Sequence, residues 1–303
     1  MIIVKNRIIF FIITGLIVLA SLVSTFVWGL KLSTDFTGGT LVEVTYPNGR
    51  PSSSDLSASL NKSGFAGYSL REAGDKDFIL RSPELSATER DALPAAFSMG
   101  SSTVANITQY TQVGPIIGTE LRRKAFISIS LVLLCILLFI AFAFRKVSQP
   151  VSSWVYGVIA LITLIHDVIV PVGFFAALGH FAGAEVDTLF VTAVLTVLGF
   201  SVHDTIVVFD RVRENLAINK ERGRKENFED TAGRALNQTF VRSVNTSMTV
   251  LFTLLVLYFI GPASTEWFAL TLLVGIVAGT YSSIALATPL LVESERWFSN
   301  RKK

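Results

Sequence analysis

The chain has few cysteines, few histidines and few charged residues, and this composition limits the class of protein to which it can belong. Its 303 residues include one cysteine, Cys135, so no disulfide can form within the chain and cysteine usage says nothing about its compartment. Charged residues make up only 16%, whereas soluble domains have about 25%. Hydrophobic residues reach 51% and the mean hydropathy is +0.56. This composition excludes an ordinary soluble domain and indicates an integral membrane protein.

Several classes of function lack the residues that they would need. The net charge of +3 would suit a nucleic-acid partner, but the basic residues stand beside hydrophobic segments, where they orient the segments in a membrane. Gly38 and Gly39 lack the lysine of a phosphate-binding loop. The polar segment 31–121 shows no cluster of histidine, cysteine and carboxylate, and no nucleophile with a nearby base. We therefore expect no metal, no cofactor, no nucleic-acid partner and no enzymatic activity.

Long apolar runs are what the chain does have. A membrane crossing needs about 20 apolar residues. Six segments are long enough, so the fold class predicted is a membrane α-helical protein with six transmembrane helices. The first is expected to stay attached as an anchor, because it is longer than the core of a signal peptide. The predicted spans are 8–30, 125–144, 151–178, 186–209, 243–260 and 267–291.

Lysine and arginine are distributed unevenly between the segments that join the spans. The short connections 179–185 and 261–266 contain neither residue, whereas 145–150 and 210–242 contain several, as do both termini. Because such residues are retained in the cytoplasm, both termini are predicted to be cytoplasmic. The basic cluster at 122–124 would lie outside, but long translocated domains weaken the charge rule. The supporting residues are Lys5, Arg7, Arg145, Lys146, Arg211, Arg213, Lys220, Arg222, Arg224, Lys225, Arg234, Arg242, Arg296, Arg301, Lys302 and Lys303.

A polar insert, residues 31–121, separates the first two spans and is large enough to fold as a small extracytoplasmic domain. Its patterns predict the order β-α-β-β-α-β of a ferredoxin-like α+β domain. The predicted elements are a strand around 42–46, a helix capped by Ser54, strands at 68–71 and 78–81, a helix that begins with the capping box of Ser86 and Glu89 and is kinked or ended by Pro94, and a strand at 104–113.

The predicted organisation therefore has three parts. Residues 1–30 form the first transmembrane helix, 31–121 the outer domain, and 122–303 the other five transmembrane helices. The segment 210–242 is predicted to be a cytoplasmic loop that contains an amphipathic surface helix, either as a contact for a partner or simply solvated.

Two aspartates stand within apolar runs. Asp204 is in the predicted fourth span and Asp167 in the third, each directly after a histidine. A carboxylate in a bilayer costs about 2.5–3.5 kcal/mol on insertion scales, so it usually serves an ion or proton pathway. A structural polar contact that fixes helix packing is the alternative. Since consecutive helical residues differ by about 100°, His166 and His203 are expected to point away from the aspartates.

The predicted fifth span begins with a basic residue and a polar face. Arg242 either extends to the membrane surface or pairs with Asp204. Gly275 and Gly279 in the sixth span form a small-xxx-small pattern that favours close helix packing.

Five stretches together resemble the SecF branch of the SecD/SecF family of bacterial protein-export membrane subunits. They are DFTGGT at 35–40, VGPIIGTEL at 113–121, HD at 166–167, GFSVHDTIVVFDRVREN at 199–215 and RALNQTFVRSVNTS at 234–247. The last two are specific in combination. Two positions differ from the family pattern, because His203 replaces an asparagine and Ser243 replaces a threonine.

The resemblance implies a six-span half of the resistance-nodulation-division fold in the bacterial cytoplasmic (inner) membrane. It also implies an auxiliary role in protein export, driven by the proton-motive force, with a SecD-like subunit, a SecYEG-type export channel and unfolded secreted chains as partners. Asp204 and Arg242 match the acid and base of the family's proton relay, and Asp167 is a further candidate. His203 and Asp210 are candidate modulators.

Two other functions stay open from the sequence. One is half of a proton-driven exporter of small molecules or lipids from the same superfamily, although such exporters usually carry both halves in one longer chain. The other is a passive assembly scaffold, which would tolerate Asp204→Asn.

Overall fold

The computed structural model describes residues 2–100, 103–144 and 151–300. The predicted basic residues Arg145, Lys146, Arg301, Lys302 and Lys303 lie outside these ranges. The chain begins with a short helix, α1 (Ile2–Lys5), and a long apolar helix, α2 (Arg7–Trp28).

A small sheet unit follows α2 in the chain. Its elements are α3 (Thr34–Thr37), β1 (Gly39–Thr45), α4 (Ser53–Lys62), β2 (Ser69–Ala73), β3 (Asp77–Ser82), α5 (Ala87–Phe97) and β4 (Asn106–Val113). The sheet is antiparallel with the order β2-β3-β1-β4. This order and connectivity confirm the predicted ferredoxin-like arrangement.

The two faces of the sheet differ, because side chains alternate along each strand. Val42, Val44 and Leu80 are fully buried in an apolar cluster that also holds residues of both helices, including Leu56 and Phe97. Residues of the alternate positions, such as Glu43 and Arg81, instead line a polar cavity against the long helices. The sheet therefore has one face for its own core and one for the membrane part.

Two details of the sheet unit correct the sequence predictions. The cap of α4 is Ser52, whose side chain accepts from the Asp55 N–H, and not Ser54. The capping box of Ser86 and Glu89 is present at α5, but Pro94 does not end that helix, which continues to Phe97. A proline removes one donor, and in this short helix the other bonds are sufficient.

The remaining helices complete the membrane part. They are α6 (Pro115–Ala143), α7 (Ser153–Phe181), α8 (Thr188–Glu221), α9 (Phe228–Ile260), α10 (Glu266–Ser282) and α11 (Thr288–Asn300), with a π turn (Ser283–Ala287) between the last two. Among the described residues, six helical segments are long and apolar enough to cross a membrane, with α10, the π turn and part of α11 forming one of them. This confirms the predicted six membrane helices.

The ends of these helices differ from the predictions. The segment 210–242 is not a loop with a surface helix, because α8 continues to Glu221 and α9 begins at Phe228. Hydrogen bonds hold these extensions together, for example from Asn215 Nδ2 to Gln238 Oε1 at 3.0 Å. Helix α6 begins at Pro115, inside the range predicted for the outer domain.

Candidate functional site: two buried carboxylates

Asp204 is buried near the middle of α8, with only 7% of its surface exposed. Two hydroxyl groups from different elements donate to its carboxylate. Ser243 of α9 donates to Oδ1 at 2.5 Å, and Ser283 of the π turn donates to Oδ2 at 2.7 Å. The carboxylate is thus removed from lipid and held by neutral donors, which satisfy a buried charge in part.

Asp167 is fully buried on α7. Ser282 of α10 donates to Oδ2 at 2.9 Å, and Ser201 of α8 makes a shorter bond to the same oxygen. His166 Nδ1 lies 2.8 Å from Oδ1. The expectation that His166 points away from Asp167 is therefore wrong, because the imidazole is long enough to turn back along the helix.

Glycines bring α8 and α10 close enough for these bonds. A Cβ on Gly279 would lie 2.9 Å from Ser201 Cβ, and one on Gly275 would lie 2.3 Å from Val197 Cγ2. This confirms that the small-xxx-small pattern serves packing, and it places Ser201 beside Asp167.

Arg242 is exposed, and the described contacts include no ion pair between it and Asp204. The pairing that the sequence left as one alternative is therefore not formed in this structure. The reason is rotation along α9, since Ser243 faces Asp204 and the preceding residue is turned by about 100°. A role for Arg242 in a relay stays a prediction.

The two candidate modulators lie outside the buried cluster. His203 is exposed on α8, as expected for the residue before Asp204. Asp210 is exposed and pairs with Arg213 at 2.5 Å. Any influence of either residue on the buried aspartates stays a prediction.

His166 also lines an apolar cavity of about 530 Å³ between α2, α7, α9 and α10. Its Nε2 is buried and makes no hydrogen bond to a described residue. The ring of Tyr281 lies beside it, with 6.3 Å between the ring centroids. In the described part of the chain, no group of three or more His, Cys, Asp and Glu residues is arranged to hold a metal ion.

A second polar region joins the sheet to the membrane helices, at the end of the helix bundle that faces the sheet. Arg81 Nε lies 3.1 Å from Glu185 Oε2, and the Arg71 guanidinium lies 5.0 Å from the centre of the Trp267 ring. Arg71, Arg81 and Trp267 line a cavity of about 330 Å³. Burial raises the pKa of Glu185, against the lowering effect of Arg81 and Arg71, and burial lowers the pKa of Arg71.

The segments DFTGGT and VGPIIGTEL meet at this joint. A Cβ on Gly38 would lie 2.8 Å from Pro115 Cα, and one on Gly118 would lie 3.0 Å from the Phe36 carbonyl carbon, so only glycine allows this approach. Asp35 Oδ2 accepts from Thr188 Oγ1 at 2.7 Å at the start of α8. The helix that carries Asp204 is therefore bonded directly to the sheet unit.

Ser201, Ser282 and Ser283 are the site residues that the sequence analysis missed. Single serines are common in membrane helices, where their hydroxyls bond to the helix backbone. The sequence did contain a sign of two of these residues, because Ser282 and Ser283 are adjacent polar residues in the middle of the sixth apolar run.

Comparisons with known proteins agree with this architecture. The family model described as "Protein export membrane protein SecD/SecF, C-terminal" matches residues 95–297. The protein translocase subunit SecF of Thermobaculum terrenum is 42% identical over 306 residues, which cover 97% of this chain and 93% of the relative. The protein translocase subunit SecDF of Thermus thermophilus is 34% identical over 91% of this chain and 36% of its own length.

A solved structure is similar over almost the whole chain. The crystal structure of SecDF from Thermus thermophilus, a translocon-associated membrane protein, superposes with a TM-score of 0.82 at 32% identity. The match covers 97% of this chain and 38% of the SecDF chain. This chain thus corresponds to one part of that longer protein.

Proposed function

Because the chain belongs to the SecD/SecF family of protein-export membrane proteins, we propose that it uses the proton-motive force, together with a SecD-like subunit, to promote the translocation of secreted proteins. Its substrates would be unfolded chains that emerge from a SecYEG-type channel in the bacterial cytoplasmic membrane.

The burial of Asp204 is the observation that carries the proposal. A carboxylate inside a membrane bundle is costly and is usually kept for ion or proton transfer. Here it contacts both α9 and the π turn, so a change in its charge acts on two other spans at once. Protonation at this position would therefore alter the packing of three membrane helices.

Arg242 would act in a second state of the same helices. When Asp204 is ionised, a turn of α9 by about one residue would bring Arg242 toward it, and α8 and α9 would be drawn together. When Asp204 is protonated, this attraction is lost and the two helices can separate. The Coulomb gain of such a buried pair is offset by desolvation, so the two states would differ by about a few kcal/mol.

The exposed polar face of α8 and α9 supports a membrane partner. These helices run antiparallel and touch at Asp204 and Ser243, so the preceding residues, His203 and Arg242, lie on the same side of the pair. Asn245 is also exposed on α9. Polar groups are costly against lipid, and the SecD-like half, which the longer relatives named SecDF suggest, would cover them.

We propose the orientation with both termini in the cytoplasm and the sheet unit outside. The absence of lysine and arginine from 179–185 and 261–266 supports it. Cysteines placed in these two segments, in a variant without Cys135, should react with an impermeant thiol reagent added to intact cells. Cysteines at 215–230 should not react, and the reverse pattern would contradict the orientation.

Proton transfer is tested with the chain reconstituted in liposomes with its SecD-like partner and an internal pH-sensitive dye. Asp204→Asn should abolish the proton flux that the wild type shows under an imposed gradient. Glu214→Gln is the matched control, because this carboxylate of α8 is exposed and pairs with Arg211, away from the buried aspartates. Equal flux in wild type and Asp204→Asn would contradict the proposal.

A further inference from the structure

Two adjacent serines of the sixth span each donate to a different buried aspartate. Ser282 Oγ lies 2.9 Å from Asp167 Oδ2, and Ser283 Oγ lies 2.7 Å from Asp204 Oδ2. Both serines have no exposed surface. The two carboxylates are on different helices, α7 and α8, and the two serines that bond to them are joined by one peptide unit of the chain.

Each serine also has a second acceptor within reach, in its own helix. The carbonyl oxygen of Gly279 lies 3.1 Å from Ser282 Oγ and 3.0 Å from Ser283 Oγ. A hydroxyl carries one proton, so each serine donates either to its carboxylate or to the backbone. An ionised carboxylate is the stronger acceptor, and protonation weakens it. The protonation state of each aspartate therefore decides where its serine donates.

The two serines compete for this second acceptor. Gly279 O already accepts the N–H of Ser283, so one of its two lone pairs is in use. If protonation of Asp167 turns Ser282 to Gly279 O, Ser283 retains only the Thr280 carbonyl, at 3.1 Å, as its backbone alternative. A proton on one aspartate would then make a proton on the other less favourable.

The serines stand where the helix is irregular. The π turn Ser283–Ala287 begins at the second of them. Single π turns within α-helices are rare and are frequent at functional sites, because they leave carbonyl groups without their usual partners. A change of hydroxyl donor at this position would alter the backbone bonding of the turn and so the course of α11.

We propose that Ser282 and Ser283 couple two proton-binding sites, Asp167 and Asp204, and transmit their protonation to the sixth span. The inference rests on the proposed proton-driven function and deepens it. A proton that reaches Asp167 neutralises its carboxylate, and the Ser282 O–H bond rotates toward Gly279 O without breaking. Both serines are positioning residues, since the protons are held by the carboxylates.

Other titratable groups near the pair are few. His166 contacts Asp167 directly, and Tyr281 lies beside His166. His203 precedes Asp204 on α8, and Arg242 precedes Ser243 on α9, but both side chains are exposed. His166 is thus the group in direct contact whose charge would add to the coupling at Asp167.

Infrared difference spectroscopy of the full chain with its co-purified partner tests the inference, because it detects protonated carboxyl groups. The pH titration of Asp204 is obtained by subtracting the spectrum of Asp204→Asn from that of the wild type. The same subtraction in the Asp167→Asn background gives the titration of Asp204 without Asp167. The titration of Asp167 is obtained from the same variants with the two aspartates exchanged. Because the coupling of two proton-binding sites is reciprocal, we expect the two shifts to be similar and on the order of one pH unit. In the Ser282→Ala background the shift should fall to a small fraction of that value.

Two further variants make the test specific. Thr271→Val is the control, because this buried hydroxyl of α10 donates only to the Trp267 carbonyl, and it should leave the shift unchanged. Ser282→Cys keeps a weaker donor on a slightly larger side chain, so it should give an intermediate shift. It replaces Ser282→Ala if that variant misfolds.

Two results would overturn the inference. Titration of Asp204 that is unaffected by Asp167→Asn would show that the sites are uncoupled. A full shift that persists in Ser282→Ala would show that charge acts through space and that the serines have no part in it. Neither result would change the loss of proton flux that is expected for Asp204→Asn. Failure of the serine coupling is therefore distinguishable from failure of the proposed function.

Discussion

At the scale of the residue, the buried aspartates are held by hydroxyl groups and one imidazole, and none of their described partners is an arginine or a lysine. A permanent opposite charge would hold a carboxylate in its ionised form. Serine donates to the ionised form and can turn to a backbone carbonyl when the proton arrives. The described surroundings of Asp204 and Asp167 thus place no permanent positive charge in contact with either carboxylate, which supports the proposed role in proton transfer.

Ser243→Ala tests the importance of these donors. A hydrogen bond to a charged group contributes about 1.5–3 kcal/mol, so loss of the bond to Asp204 should lower proton flux in liposomes about tenfold or more. Thr239→Val is the control, because this buried hydroxyl, one turn earlier in α9, donates only to backbone carbonyls. An unchanged flux in Ser243→Ala would argue against a role for this donor.

The sequence identified the aspartates but not their donors, for a physical reason. A carboxylate in an apolar run is so costly that it stands out, whereas serine is compatible with lipid and water alike. The partner of Asp204 also depends on how α9 is rotated about its own axis. A difference of one residue, about 100°, decides whether Arg242 or Ser243 faces the carboxylate. A hydrophobic pattern does not determine that rotation when both faces contain polar residues.

At the scale of the element, close contacts at glycines fix how the membrane helices cross. The backbone of α7 at Gly173 touches α2, where a Cβ would lie 2.4 Å from Ser21 Cα. Ser24 Oγ donates to the Gly173 carbonyl at 2.6 Å. Since α7 carries Asp167, this contact sets the position of one carboxylate relative to the first span.

Gly173→Ala should therefore destabilise the bundle. An added methyl group in a packed interface typically costs about 1–3 kcal/mol, and here it would meet backbone, which has little freedom to move away. Thermal unfolding in detergent should show a lower midpoint than for Gly15→Ala, a helical glycine of α2 with no atom within 4 Å of the added Cβ. Equal midpoints for the two variants would contradict the close contact.

Apolar runs predicted that the membrane helices exist, but not where they end. Hydropathy reports the part of a helix that lies in lipid, whereas α8 continues past it to Glu221. Pairs such as Arg211 with Glu214, at 2.8 Å, are three residues apart and stabilise a helix in water. The alternating pattern and turn residues of the sheet unit were sufficient for its strands, because each strand has one face in a local core.

At the scale of the whole molecule, the sheet unit and the spans are joined at several bonded points. Asp35 bonds to the first residue of α8, and Arg71 stacks on Trp267 at the start of α10. These are the two helices that supply Ser201 and Ser282 to Asp167. A movement of α8 against α10 would therefore reach the sheet directly. The sequence could not predict this joint, because it brings together segments about 150 residues apart, as the Asp35–Thr188 contact shows.

Protein secretion driven by a proton gradient is the direct measure of whether protonation of the buried Asp204 carboxylate drives translocation. Secretion is measured in membrane vesicles with and without the gradient, for wild type, Asp204→Asn and the control Glu214→Gln. We expect the gradient to stimulate secretion with wild type and control but not with Asp204→Asn, which should still insert and bind its SecD-like partner. Stimulation that survives in Asp204→Asn would contradict proton coupling through this residue and favour a passive scaffold.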